Sequence, residues 1–142
     1  MKTLNQKSTH IFNKLIARLD KAQHVRINNA HEAFMPLSVE YLFTTDIVGR
    51  TMKVFSLAHY YLQNGDLVPD PEMTFAIYTP VPDPQQPNPL PQIYPMSFQN
   101  ALMYDEAIFQ KEGKWQYIPS RLNDLIYFAN IWLKNIQDQQ NI

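Results

Sequence analysis

Apolar positions along this chain follow two different periods. Over residues 3 to about 22, Leu4, Ile11, Phe12, Leu15, Ile16, Leu19 and Ala22 share one broad arc at about 100° per residue, which predicts an amphipathic helix. Thr3 and Gln6 have the spacing of a capping box, so the helix is expected to start there. A second helix is predicted from near Ser120, just after Pro119, to about Gln139, with Leu122, Leu125, Ile126, Ala129, Trp132, Leu133 and Ile136 on one face.

Between the helices the period drops to two. Leu37, Val39, Tyr41 and Phe43 alternate with Ser38, Glu40 and Thr44, the pattern of a half-buried strand with Leu42 as its exception. Residues 52–62 are apolar on both faces, as in a central strand covered on each side. Asn64-Gly65-Asp66 is a turn signal, and residues 73–79 read as the returning strand. Pro69 and Pro71 lack the N–H that a ladder needs, which predicts a connection longer than a two-residue hairpin. Residues 96–102 and 104–109 give two more short strands, and residues 25–28 a sixth at the edge. Short connections imply antiparallel pairing, because a parallel crossover needs a dozen or more residues. The expected fold is α+β: a mostly antiparallel sheet of five to six strands, with the N- and C-terminal helices packed on one face.

The totals narrow the picture. With 142 residues, 45% apolar and 18% charged, the chain suits one domain over residues 1–142, with a proline-rich surface loop at about 80–95. Having no cysteine, it excludes disulfides, thiolate zinc sites, iron–sulfur clusters and a cysteine nucleophile. Its beginning has no apolar signal core, and no stretch approaches 18 uninterrupted apolar residues, so a cytoplasmic, non-membrane protein is expected. Gly49, Gly65 and Gly113 are the only glycines, too few for a phosphate-binding loop or dinucleotide fingerprint, and no cofactor is expected. His31-Glu32 is followed by Ala33-Phe34-Met35 without the second histidine of a zinc-protease helix.

Charge is uneven. Residues 1–30 carry six Lys/Arg against Asp20 alone, while residues 31–142 carry six against twelve acids. Lys7, Lys14, Arg18 and Lys21 fall on one side of the first predicted helix, with His10 beside them. Such a stripe suits phosphate contacts with nucleic acid, although a solvated helix face looks the same. Asp66, Asp70 and Glu72 crowd the loop after the central strand, and His59 lies near its end. Three carboxylates and an imidazole suit a divalent cation or an acid/base pair, while Asp next to Gly or Pro is also ordinary turn chemistry. Tyr127 and Ile131 lie four apart on the polar side of the last helix, a candidate partner surface or homodimer contact. The run of prolines from Pro80 to Pro91 favours an extended path, either a docking peptide or a stiff loop.

The run His59-Tyr60-Tyr61-Leu62-Gln63-Asn64-Gly65-Asp66-Leu67-Val68-Pro69-Asp70-Pro71-Glu72-Met73 resembles the central motif of an uncharacterised family of small proteins. Similar proteins occur on conjugative and other mobile elements of gut bacteria, often near antirestriction genes. Lys2-Thr3-Leu4-Asn5, Ala33-Phe34-Met35-Pro36-Leu37-Ser38 and Phe128-Ala129-Asn130-Ile131-Trp132-Leu133-Lys134-Asn135-Ile136 resemble it as well, while the proline-rich insert is longer than the family's pattern. The resemblance implies a habitat and transfers no catalytic residues. The leading expectation is a non-enzymatic accessory or binding module of a mobile element, acting on an unknown protein or nucleic acid. The rival is a small metal-assisted enzyme using His59, Asp66, Asp70 and Glu72.

Overall fold

The computed structural model describes residues 1–30 and 33–142, so His31 and Glu32 lie outside it. Its elements run α1 (Gln6–Ala17), β1 (His24–Ile27), β2 (Leu37–Ile47), β3 (Arg50–Gln63), β4 (Asp66–Tyr78), β5 (Gln92–Gln99), β6 (Tyr104–Glu106), β7 (Ile108–Lys111), β8 (Lys114–Tyr117) and α2 (Pro119–Gln140). The first six strands form one antiparallel sheet in sequence order, and β7 and β8 pair separately. The α+β fold with a helix at each end is therefore as the periods predict.

Both helices lie on one face of the sheet. Phe12 of α1 meets Phe55 and Phe75 edge-on, at 6.4 and 4.9 Å between ring centroids. Trp132 and Phe128 of α2 meet His59 and Phe98 at 5.6 and 5.1 Å. The apolar face predicted for the last helix is the buried one, with Leu122, Leu125, Ala129, Trp132, Leu133 and Ile136 all in the core.

The first helix is shorter than its apolar arc. Asn5, not Thr3, caps it, accepting from the Ser8 N–H at 2.8 Å. Thr3 instead ties the chain to β5, its hydroxyl donating to the Ile93 carbonyl and accepting from the Ile93 N–H. At the other end the bonds tighten to Leu19 N–H to Ile16 and Asp20 N–H to Ala17, and Asp20 turns left-handed at φ 53. Leu19 is buried beyond that end, so it kept the apolar arc going where the helix does not.

The connection from β3 to β4 is the two-residue hairpin that the prolines argued against. Asn64 and Gly65 both have positive φ, 53 and 85, the twist that lets two residues reverse a strand pair. Pro69 is tolerated because its pair with Tyr60 is a non-hydrogen-bonded one, counting from the closing pair Gln63 with Asp66. Its nitrogen thus faces away from β3, where β5 has already ended at Gln99 opposite Glu72. Pro71, after a cis peptide, falls in the register shift between Ala58 and Tyr60.

Further along, the strand expected over 96–102 is β5, which starts at Gln92, so the proline loop ends at Pro91. The strand expected over 104–109 splits: β6 stays on the sheet, while β7 leaves to pair with β8 through Glu112-Gly113, at φ 54 and 78.

Candidate functional site

The sheet register sorts the polar groups by face. His59 pairs with the buried Leu37 and stands under Trp132 on the helix side. Its neighbours Ala58 and Tyr60 project to the opposite face, with Ser38, Ser56, Glu72, Thr74 and Ser97.

His59 is 6% exposed and its Nε2 has no hydrogen-bond partner. Burial lowers its pKa, while the charge of Asp70 pulls in the other direction. Asp66 is exposed at the hairpin tip, Asp70 is exposed beside the bend, and Glu72 is on the far side of the sheet from His59, bonded to Tyr60. The four groups of the metal reading are therefore not gathered, and among the described residues no three His, Asp or Glu side chains converge for a metal ion.

On the opposite face Tyr60 donates to Glu72 Oε2 at 2.8 Å. Burial, that hydrogen bond and the charges of Glu72 and Glu40 together push the phenol up to about 12. Thr74 and Ser97 share a hydroxyl hydrogen bond. Tyr104 is raised by burial and by Glu106, so hydroxyls and carboxylates continue across to the β6 edge. Toward β1 a cleft of about 480 Å³ opens, lined by His24, Arg26, Pro36, Ser38, Tyr60 and Leu67. At the other end Arg50 lies 4.6 Å over the Tyr78 ring and donates to Gln92 at 2.8 Å. Apart from Glu72, none of these groups has a signal in sequence spacing, because they come from different strands, although strand alternation does place each on its face.

The cationic stripe is broken by the early end of α1. Lys7 and Lys14 are exposed on the helix, Arg18 is its C-cap, and Lys21 lies past it in a turn. Lys7, His10 and Lys14 do share one cleft, of about 320 Å³, with Gln6, Ile11 and Gln137. A second cleft, of about 360 Å³, runs between the helices and brings Lys7 together with Asn130, Ile131, Lys134 and Asn135. Tyr127 and Ile131 both point outward from α2, as their spacing predicts. No helix among the described residues is long and apolar enough to cross a membrane.

A family model described as a domain of unknown function, DUF6908, matches residues 7–142, nearly the whole chain. No curated protein and no solved structure matches it.

Proposed function

The chain belongs to the DUF6908 family, a domain of unknown function, and we propose from its surfaces that it is a non-enzymatic binding module whose helix layer receives a protein partner. The observation that carries this reading is the outward face of α2, where Tyr127 is 73% exposed and Ile131 47%. Both stand on a 22-residue helix whose other face is fixed in the core, so little order is lost when they are covered. Lys7, Asn130, Lys134 and Asn135 line a cleft with Ile131, and an apolar group in a polar rim one helical turn from an exposed aromatic ring has the composition of a protein interface. The resemblance to proteins of mobile elements fits an accessory role in a bacterial cytoplasm. A second reading, contact with nucleic acid, is favoured by the cleft that Lys7, His10 and Lys14 share.

A photo-crosslinking residue placed at Tyr127 in the native host separates these readings. The expected result is one discrete protein adduct, lost in Ile131→Glu while the circular dichroism spectrum is unchanged. An adduct of the chain with itself would make the partner a second copy. Nucleic-acid adducts that fall steeply with salt would favour the second reading. Protein adducts indifferent to Ile131→Glu would overturn the proposal.

A further inference from the structure

The two edges of the sheet differ in what they leave open. The Tyr41 N–H donates to the Gln23 carbonyl at 2.8 Å, just before the β1–β2 register of Val25 with Val39 and Ile27 with Leu37. Hydrogen-bonded pairs alternate along an antiparallel ladder, so residues 23, 25 and 27 bond to β2 and residues 24 and 26 do not. The backbone N–H and C=O of His24 and Arg26 therefore point away from the sheet, and among the described residues neither has another backbone partner. Their exposed side chains line the cleft on the face opposite the helices, whereas Val25 packs partly against the core on the helix side. At the other edge, Arg121 reaches back to β6, 3.7 Å from the Asp105 carboxylate and 3.5 Å from the Glu106 carbonyl. That edge is partly occupied by the chain's own arginine.

We infer that β1 is a docking edge for an extended acidic segment of a partner protein, added as a seventh strand. The charge complementarity is local and rests on Arg26. A strand laid beside β1 turns every second side chain toward the Arg26 guanidinium and the His24 imidazole, and the exposed Glu40 that pairs with His24 on β2 directs an incoming carboxylate to Arg26. The intervening side chains fall on the helix side beside Val25. The occupant is therefore a segment in which carboxylates alternate with aliphatic residues. Main-chain hydrogen bonds from residues 24 and 26 supply affinity, and the alternation supplies selectivity. Among the described residues Arg26 makes no ion pair, so an incoming carboxylate displaces none. Charge on an edge strand also deters chance pairing, and Arg26 does both by rejecting basic strands and admitting acidic ones. This edge stands apart from the helix layer, so the inference does not depend on the partner proposed there.

The test uses the full chain, labelled with ¹⁵N, and a synthetic acetylated heptapeptide of alternating glutamate and valine. The expected result is that the His24 and Arg26 amides shift and become protected from exchange. Arg26→Glu should weaken binding roughly tenfold or more, with Arg26→Gln intermediate. Methylating the peptide nitrogens that face β1 should abolish it, because a strand cannot add without those donors. Three results would overturn the inference: no change at these amides with millimolar peptide, equal binding of the methylated peptide, or equal binding of a lysine-for-glutamate peptide. Self-association through the same amides, seen by sedimentation without peptide, would also overturn it by giving the edge to a second copy.

Discussion

His59 and Tyr60 are neighbours on β3, and the two faces of the sheet treat them differently. On the helix side, aromatic rings from α1 and α2 close over the strands, and His59 is buried there with a bare Nε2. On the other side Tyr60 is only half-buried, yet its hydroxyl is bonded to Glu72. The more deeply buried group is the less satisfied one. The helix face is held by apolar packing that tolerates a stray imidazole, whereas the far face combines the buried Val54, Ala58, Ala76 and Tyr94 with hydrogen bonds among its polar side chains. The rings that join helices to sheet are on the helix side, so the largest single loss of stability is expected there, with the pH response divided between the two sides in opposite directions.

The largest test of that division is Phe12→Ala. Phe12 is fully buried and touches rings on both β3 and β4, so its removal should cost about 3–5 kcal/mol. Urea denaturation would register this as a lower midpoint with an unchanged slope. A loss below about 1 kcal/mol would mean that the helix layer is not the main support of the sheet.

A smaller and pH-dependent effect is expected at His59. Its folded pKa is lowered below 6.5, so between the two values the unfolded chain holds the proton more tightly than the folded one. The stabilising effect of a neutral His59 is present above pH 6.5 and is lost as pH falls through the lowered value. His59→Leu removes a buried nitrogen without a partner and should be neutral or stabilising by about 1 kcal/mol at pH 7. Its advantage over the natural chain should widen on acidification below pH 6.5. Denaturation midpoints at pH 7 and pH 5 decide this, and a constant difference would show that His59 binds its proton as tightly in the folded chain as in the unfolded one.

The comparison of the faces also explains what could be read from the chain alone. The last helix was legible because Leu122, Leu125, Ala129, Trp132, Leu133 and Ile136 keep one period and bury together. The end of α1 was not, because Leu19 continues the apolar arc from a turn in which Asp20 has gone left-handed. The hairpin at Asn64-Gly65 was announced by its turn residues and then discounted for Pro69, whose nitrogen faces a side where no strand remains. The β7–β8 hairpin turns through Glu112-Gly113, a weaker signal than Asn64-Gly65 because only its second residue favours positive φ. Lys7 and Lys14 lie on the helix that periodicity predicts, yet their clefts are completed by α2 residues such as Asn130, Lys134 and Gln137, more than 110 residues away in the chain. Asp66, Asp70 and Glu72 were grouped by closeness in sequence, and strand alternation then sent Glu72 to the face away from His59. Periodicity reports which side of an element is buried, but it does not report which elements become neighbours.

The smallest effect is expected at Tyr60 and sharpens the comparison from the alkaline side. Its phenol is raised from 10.0 to about 12, so between those values the folded chain keeps a proton that the unfolded chain has lost. Stability contributed by the protonated phenol is present below pH 10 and declines as pH rises toward 12, the reverse of the His59 dependence. Glu72→Gln removes the negative charge while leaving burial in place, so the phenol should ionise at a lower pH without returning fully to 10.0. Spectroscopic titration of the phenolate, taken as the difference between each protein and its Tyr60→Phe variant, isolates this one tyrosine from the other seven. At neutral pH the same substitution should change stability by only a few tenths of a kcal/mol, because the pair is partly open to water. A Tyr60 titration unmoved by Glu72→Gln would leave burial and the charge of Glu40 as its causes. The Tyr60–Glu72 hydrogen bond would then add nothing to the order of the far face, and the difference between the two faces would be one of degree.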